Sequence, residues 1–222
     1  MTVVGDGDAD GAARAVSVRA FGPTALLVEV ADAATALALA TWVRDQGVPA
    51  AEVVPAACTV LLDGLTDRAA VARATALLHA WEPTAADAAT RPGPVVEVPV
   101  VYDGPDLEAV AALWGVEPAE VVARHTRLEL VSVFCGFAPG FAYLSGLPRE
   151  WAVPRLDAPR PRVPAGSVAL ADTWCGVYPT ASPGGWRLLG RTDVTLWDVH
   201  RDPPALLAPG TRVRFVEAGA HR

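Results

Sequence analysis

The sequence has no lysine, no asparagine and no isoleucine, so all 18 basic residues among its 222 are arginines. This bias fits a GC-rich genome rather than a functional demand. It still excludes chemistry, because a Schiff-base lysine, a P-loop lysine and an N-glycosylation sequon all need residues that are missing. Cysteine is scarce as well. Cys58, Cys135 and Cys175 stand far apart with no C-x-x-C spacing, so neither a zinc knuckle nor a disulfide framework is written here, and a reducing cytoplasm fits. Basic charge is outweighed, 25 acidic residues against 18 basic giving −7, which argues against nucleic-acid binding by bulk charge. No apolar run reaches the roughly 18 residues that a membrane-spanning helix needs. The start, MTVVGDGDADGAARA, lacks the basic and apolar regions of a signal peptide. Residues 1–13 therefore read as a flexible tail, and the expectation is a soluble, cytoplasmic protein.

What is present is a 52% apolar fraction, enough for one large core or two small ones and too much for a disordered chain. Val16 to Val30 reads as two strands around Phe21-Gly22-Pro23. Asp32 then caps a helix that Gly47-Val48-Pro49 ends. Val53–Pro55 and Cys58–Gly64 form a strand pair, and Thr66 opens a second helix through Trp81. The stretch EPTAADAATRPGP, Glu82 to Pro94, has no hydrophobic period and reads as a linker. The expected division is a tail 1–13, a small α+β domain 14–90, a mainly-β domain 91–218 and a tail 219–222. In the second domain Val95 to Tyr102 is a strand, followed by two short helices joined at Gly115 with Pro118 in the first turn of the second. From Leu128 to Val216, short apolar runs between prolines and glycines suit an antiparallel β-barrel. The tandem helices have helix-turn-helix spacing, but EPAEVVAR offers DNA only Arg124, so a packed helical hairpin is the better reading.

Three motifs concentrate the information. Gly136-Phe137-Ala138-Pro139-Gly140-Phe141-Ala142-Tyr143-Leu144 is a glycine- and proline-pinned aromatic loop whose rings line either a core or a pocket. Pro154 to Ser167 holds Arg155, Arg160 and Arg162 within eight residues among four prolines, a stiff strip that presents guanidinium groups to carboxylate or phosphate or simply forms a solvated edge. Tyr178 to Thr192 contains Ser182-Pro183-Gly184-Gly185, a tight turn whose glycine amides are able to approach an anion. A G-x-S-x-G elbow is absent, and His79, His125, His200 and His221 show no metal spacing. His125, at a helix end ahead of the barrel strands, is the histidine nearest this dense region, either a general base or a helix-terminal residue.

Together, GFAPGFAYLSGLP, VPRLDAPRPRVPAGSVALAD and GVYPTASPGGWRLLGRT, in this order, resemble the family of the 5-oxoprolinase B subunit, also known as allophanate hydrolase subunit 1 and the KipI kinase inhibitor. The resemblance spans roughly residues 14–218 and implies an α+β N-terminal domain followed by a mainly-β cyclophilin-like barrel. It implies a protein that acts with an A subunit and a homologous C subunit in the ATP-dependent ring opening of 5-oxo-L-proline to L-glutamate. ATP is then bound by the complex and not necessarily by this chain, with no metal site legible. The related alternatives are a KipI-like inhibitor of a sensor histidine kinase and a carboxyltransferase component for urea- or allophanate-like substrates. In the last case biotin would come from a partner, since this chain has no lysine to carry it. Fixed arginines and backbone N–H groups suit the anionic oxygen that such reactions develop. On this resemblance His125 and Arg162 are the catalytic candidates. The substrate-binding candidates are Phe137, Pro139, Phe141, Tyr143, Arg155, Arg160, Tyr178, Ser182, Gly184, Gly185 and Arg191. Where members of the family read Gln-Thr-Gly-Ile-Tyr-Pro, this chain reads Trp174-Cys175-Gly176-Val177-Tyr178-Pro179, replacing an amide and a hydroxyl by an indole and a thiol. Cys175 reads as a small buried thiol rather than a nucleophile.

Overall fold

The computed structural model describes residues 16–82 and 94–219. Tail 1–13, nearly all of the linker, the 90/91 boundary and His221 lie outside the described residues. The described chain falls into two compact units, one of 16–54 with 58–82 and one of 55–57 with 94–219.

The first unit is a four-stranded sheet, in the order β1-β2-β4-β3, with two helices. Its strands are β1 (Ser17–Ala20), β2 (Leu26–Glu29), β3 (Glu52–Pro55) and β4 (Thr59–Asp63). Helix α1 (Ala33–Asp45) starts where the Asp32 carboxylate accepts from the Thr35 amide, and this bond holds the carboxyl below its ordinary range. Helix α2 (Arg68–His79) starts at Asp67, which accepts from the Ala70 amide, and so begins one residue later than the threonine predicted from sequence. Leu39, Val43, Leu62 and Leu78 close the core between sheet and helices.

The second unit is built on a seven-stranded sheet in the order β12-β9-β10-β7-β6-β13-β5. Its members are β5 (Val95–Val100), β6 (Leu130–Cys135), β7 (Ala142–Ser145), β9 (Ser167–Ala171), β10 (Trp174–Val177), β12 (Arg187–Arg191) and β13 (Arg212–Glu217). Val101 and Arg191 exchange two backbone hydrogen bonds of 2.9 Å each, which bring the two ends of the sheet together into a nearly closed barrel. The predicted all-antiparallel arrangement has one exception: β13 runs parallel to β5 over six residue pairs. A two-stranded ribbon, β8 (Arg160–Val163) with β11 (Ser182–Gly184), stands beside the barrel.

Helices α3 (Leu107–Trp114) and α4 (Pro118–Arg127) form a packed hairpin. Arg124 is committed inside it, lying 4.9 Å from the Trp151 ring and pairing with Glu120 at 3.2 Å, so the one basic residue of the helix-turn-helix reading is already engaged. Among the described residues, no helix is long and apolar enough to cross a membrane.

Candidate active site

The loop 136–141 leaves β6, turns back on itself and delivers Phe141 and Tyr143 to the face of β7 that looks toward β10 and the 178–186 turn. Gly136 N–H donates to the Phe141 carbonyl at 3.1 Å, pinning the loop base. Phe141 then meets Tyr178 and Trp186 edge-on, with ring centroids 5.4 Å apart in both cases, and Tyr143 meets Trp186 at 5.7 Å. Each such pair adds about 1 kcal/mol beyond its burial, so these rings form a stiff wall rather than an adaptable one. Gly184 is required here, because a side-chain carbon on it would run into the Tyr178 hydroxyl. Burial raises the Tyr178 phenol above its ordinary value, so it stays protonated at neutral pH.

These groups enclose a pocket of about 110 Å³ lined by Phe137, Phe141, Tyr143, Arg155, Tyr178, Pro183, Gly184, Gly185 and Trp186. Arg155 lies over the Trp186 ring, 5.9 Å from its centroid. It makes no ion pair with a carboxylate among the described residues. A free guanidinium held on an aromatic face beside a glycine turn is a place for a small planar anion, above all a carboxylate. Two larger clefts lie on the same unit. One, of about 560 Å³, runs between Pro139, Tyr178, Asp193 and Trp197 and has no basic side chain in its lining. The other, of about 620 Å³, contains Arg191, which Asp103 already neutralises at 2.9 Å. Of these three, the small pocket is therefore the one whose cation has no carboxylate partner among the described residues.

Phe137 sits at its rim with backbone φ of 69°, a left-handed conformation unusual for a bulky residue, and it is 62% exposed. The backbone strain costs about 1 kcal/mol and is offset by edge-on contacts of the ring with Phe141 at 5.3 Å and Tyr178 at 6.2 Å. Phe137→Gly relieves the strain but loses both ring contacts and frees the unfolded chain, so its thermal stability is expected to fall by no more than about 1 kcal/mol, while Phe137→Ala, which keeps the strain and loses the contacts, is expected to fall further. Thermal denaturation of the two variants checks this, and a loss in the glycine variant beyond that amount would contradict it.

Seven predicted residues thus converge on one pocket, and six do not. Pro139 lines the neighbouring cleft instead. Arg191 is paired with Asp103. Arg160 is taken up by Asp106 at 2.8 Å and the Trp186 carbonyl at 3.3 Å, so it is not free for substrate. Arg162 is exposed and lines none of the three cavities. Ser182 lies on β11 with a buried hydroxyl that has no hydrogen-bond partner among the described residues.

His125 lines none of the three cavities. It is fully enclosed and stacks on Phe215 at 4.6 Å; Nδ1 lies 2.7 Å from the Tyr102 hydroxyl and Nε2 3.3 Å from Cys175 Sγ. Burial drives its pKa down to about 3, so the ring is a neutral element of the barrel core and not an acid–base group facing the pocket. Cys175 is also completely buried, and that burial raises its thiol, which removes the thiolate a nucleophile needs. Trp174 packs edge-on against Tyr143 at 5.9 Å and Phe134 at 5.5 Å, extending the aromatic wall from behind.

Sequence reasoning missed Trp186, Pro183 and Asp106. The first two stand inside a motif already singled out, whereas Asp106 carries no local signal beyond a place ahead of a helix. Among the described residues, no group of three side chains is arranged to hold a metal ion.

Residues 16–207 match the family described as carboxyltransferase domain, subdomain C and D. The chain belongs to that family. A 5-oxoprolinase B subunit from Escherichia coli O157:H7 is 51% identical over 124 residues, which is 54% of this chain and 57% of that protein. One from Bacillus subtilis (strain 168) is 47% identical over 125 residues, 55% of this chain and 52% of that protein. The chain thus covers little more than half the length of these relatives. Among solved structures, TTHA0988 superposes with a TM-score of 0.71 at 36% identity, over 91% of this chain and 40% of that one. The pocket falls within the matched span of this carboxyltransferase-family chain, and of the barrel strands only β13 lies beyond it.

Proposed function

We propose that this chain is the B subunit of an ATP-dependent 5-oxoprolinase, and that the aromatic pocket is where 5-oxo-L-proline is held. The observation that carries the reading is the Arg155 guanidinium over Trp186, without a carboxylate partner among the described residues and facing a pocket of about 110 Å³ walled by Phe141, Tyr143 and Tyr178. A small, flat lactam with one carboxylate suits that size and polarity. Arg155 takes the carboxylate, the rings take the faces and edges of the lactam, and the Gly184-Gly185 turn and the Tyr178 hydroxyl supply donors toward the lactam oxygen as charge develops there. The identity to curated 5-oxoprolinase B subunits supports the subunit reading. In the same proposal the barrel is of cyclophilin-like type, the division falls at 14–90 and 91–218, and an A subunit and a homologous C subunit complete the enzyme. ATP enters as a co-substrate of the complex, with no residue of this chain assigned to it.

The test is 5-oxoproline-dependent ADP release by this chain mixed with its A and C subunits, leaving out each in turn. Turnover that needs all three supports the reading. A well-formed complex that releases no ADP in response to 5-oxoproline refutes it, and binding of the chain to a sensor histidine kinase without turnover would replace it with a regulatory role.

A further inference from the structure

Asp106 lies outside the pocket, yet it fixes the strand that forms one of its walls. Its side chain is only 7% exposed. Oδ1 accepts from Arg160 Nη2 at 2.8 Å, Oδ2 accepts from the Leu188 amide at 2.7 Å, and Arg187 Nη1 approaches to 4.0 Å. Arg160 in turn donates to the Trp186 carbonyl at 3.3 Å. One carboxylate therefore holds, directly or through one arginine, both residues 186 and 188 of the segment that follows the Gly184-Gly185 turn. The arrangement depends on segment 103–106 lying flat on β12. Gly104 N–H donates to the Leu189 carbonyl at 3.0 Å and Asp106 N–H to the Leu188 carbonyl at 3.1 Å. A side chain at Gly104 would collide with the Leu188 carbonyl. Although Asp106 stands at the N-cap position of α3, it makes no side-chain capping bond to that helix, since both oxygens are engaged elsewhere. Capping the helix does not explain the residue.

We infer that Asp106 is a positioning residue of the site, holding Trp186 and the glycine turn in register through Arg160 and the Leu188 amide. This rests on the reading of the aromatic pocket as the substrate site. Substitution by asparagine keeps the shape but turns one acceptor into a donor, which opposes either Arg160 or the Leu188 N–H. Replacing Arg160 by glutamine as well restores a neutral donor–acceptor pair.

The experiment uses the full chain in two arms. In the first, the 15N-labelled protein is compared with Asp106→Asn by amide resonances and hydrogen exchange. The Gly184, Gly185 and Trp186 signals are expected to shift and to exchange about tenfold faster, while those of Ser17 to His79 stay in place. In the second, KM and kcat for 5-oxoproline are measured in the reconstituted complex. Asp106→Asn is expected to raise KM about tenfold with kcat changed much less, Asp106→Asn with Arg160→Gln to recover most of that loss, and Arg212→Ala, whose guanidinium pairs with Glu129 away from the pocket, to match the wild type. Pocket resonances unmoved by Asp106→Asn, or a variant that only lowers Tm while KM stays put, would overturn the inference. If the wild-type complex shows no 5-oxoproline turnover, the functional reading fails, and the resonance arm still decides whether Asp106 positions the turn.

Discussion

Arg155→Ala is expected to reduce 5-oxoproline-dependent ADP release by the complex about 10- to 100-fold at subsaturating substrate. Hydrogen bonds to a charged partner contribute about 1.5–3 kcal/mol, and no second unpaired arginine lines the pocket to take over. Arg155 is exposed and rests on Trp186 without a carboxylate partner, so its removal leaves no buried orphan, and the fold should be unaffected. Arg155→Lys is expected to recover only part of the loss, because an ammonium keeps the charge but loses both the planar two-pronged contact and the stacking on the indole. Arg212→Ala serves as the control. Arg212 is held by Glu129 at 2.6 Å on the surface, and its loss should leave the rate unchanged. A rate for Arg155→Ala equal to that of the wild type would move the carboxylate site elsewhere.

Acid should destabilise the protein through His125, and the direction follows from its burial. In the unfolded chain the imidazole takes up a proton near its ordinary value of 6.5, whereas in the folded chain it resists protonation down to about 3. Between those values the unfolded state binds the extra proton, so stability is greatest above pH 6.5 and falls as the pH drops through that window. The loss from this one residue amounts to roughly 1 kcal/mol per pH unit. The groups around the ring are the Tyr102 hydroxyl, the Cys175 thiol and the Phe215 ring, and none of them carries a negative charge at that pH to hold an imidazolium. His125→Gln keeps a donor and an acceptor without titrating. Denaturant unfolding at pH 7, 6, 5 and 4 should therefore show a flatter decline in the variant than in the wild type. Parallel slopes would mean that the ring is not the group responsible.

The parts of the fold that sequence made legible are those fixed by neighbours in the chain. Asp32 announces a helix because its oxygen and the Thr35 amide are three residues apart. The aromatic loop announces a cluster of rings, in a core or a pocket, because glycine, proline and ring residues alternate within one turn. What stayed hidden depends on partners far away along the chain. Asp106 meets Arg160 and Leu188 across 54 and 82 positions. His125 meets Cys175 across 50, so the proximity of a histidine to that thiol, of which sequence spacing holds no sign, is created wholly by the barrel. The parallel pairing of β13 with β5 has the same origin, since both strands show ordinary alternation and neither reveals which partner it takes. The arginine strip shows the limit most clearly. Arg155, Arg160 and Arg162 look equivalent in sequence, yet one stays unpaired at the pocket, one is consumed by a buried carboxylate, and one faces solvent.

The most direct test of the pocket as the substrate site is a titration of 5-oxo-L-proline into the complex containing the 15N-labelled chain, followed at Gly184, Gly185 and the Trp186 indole. Saturable shifts centred on these groups and on the 137–143 loop, abolished by Arg155→Ala, are the expected result. Saturable shifts at Thr195 to Trp197 instead, or none from a complex that turns the compound over, would contradict the assignment.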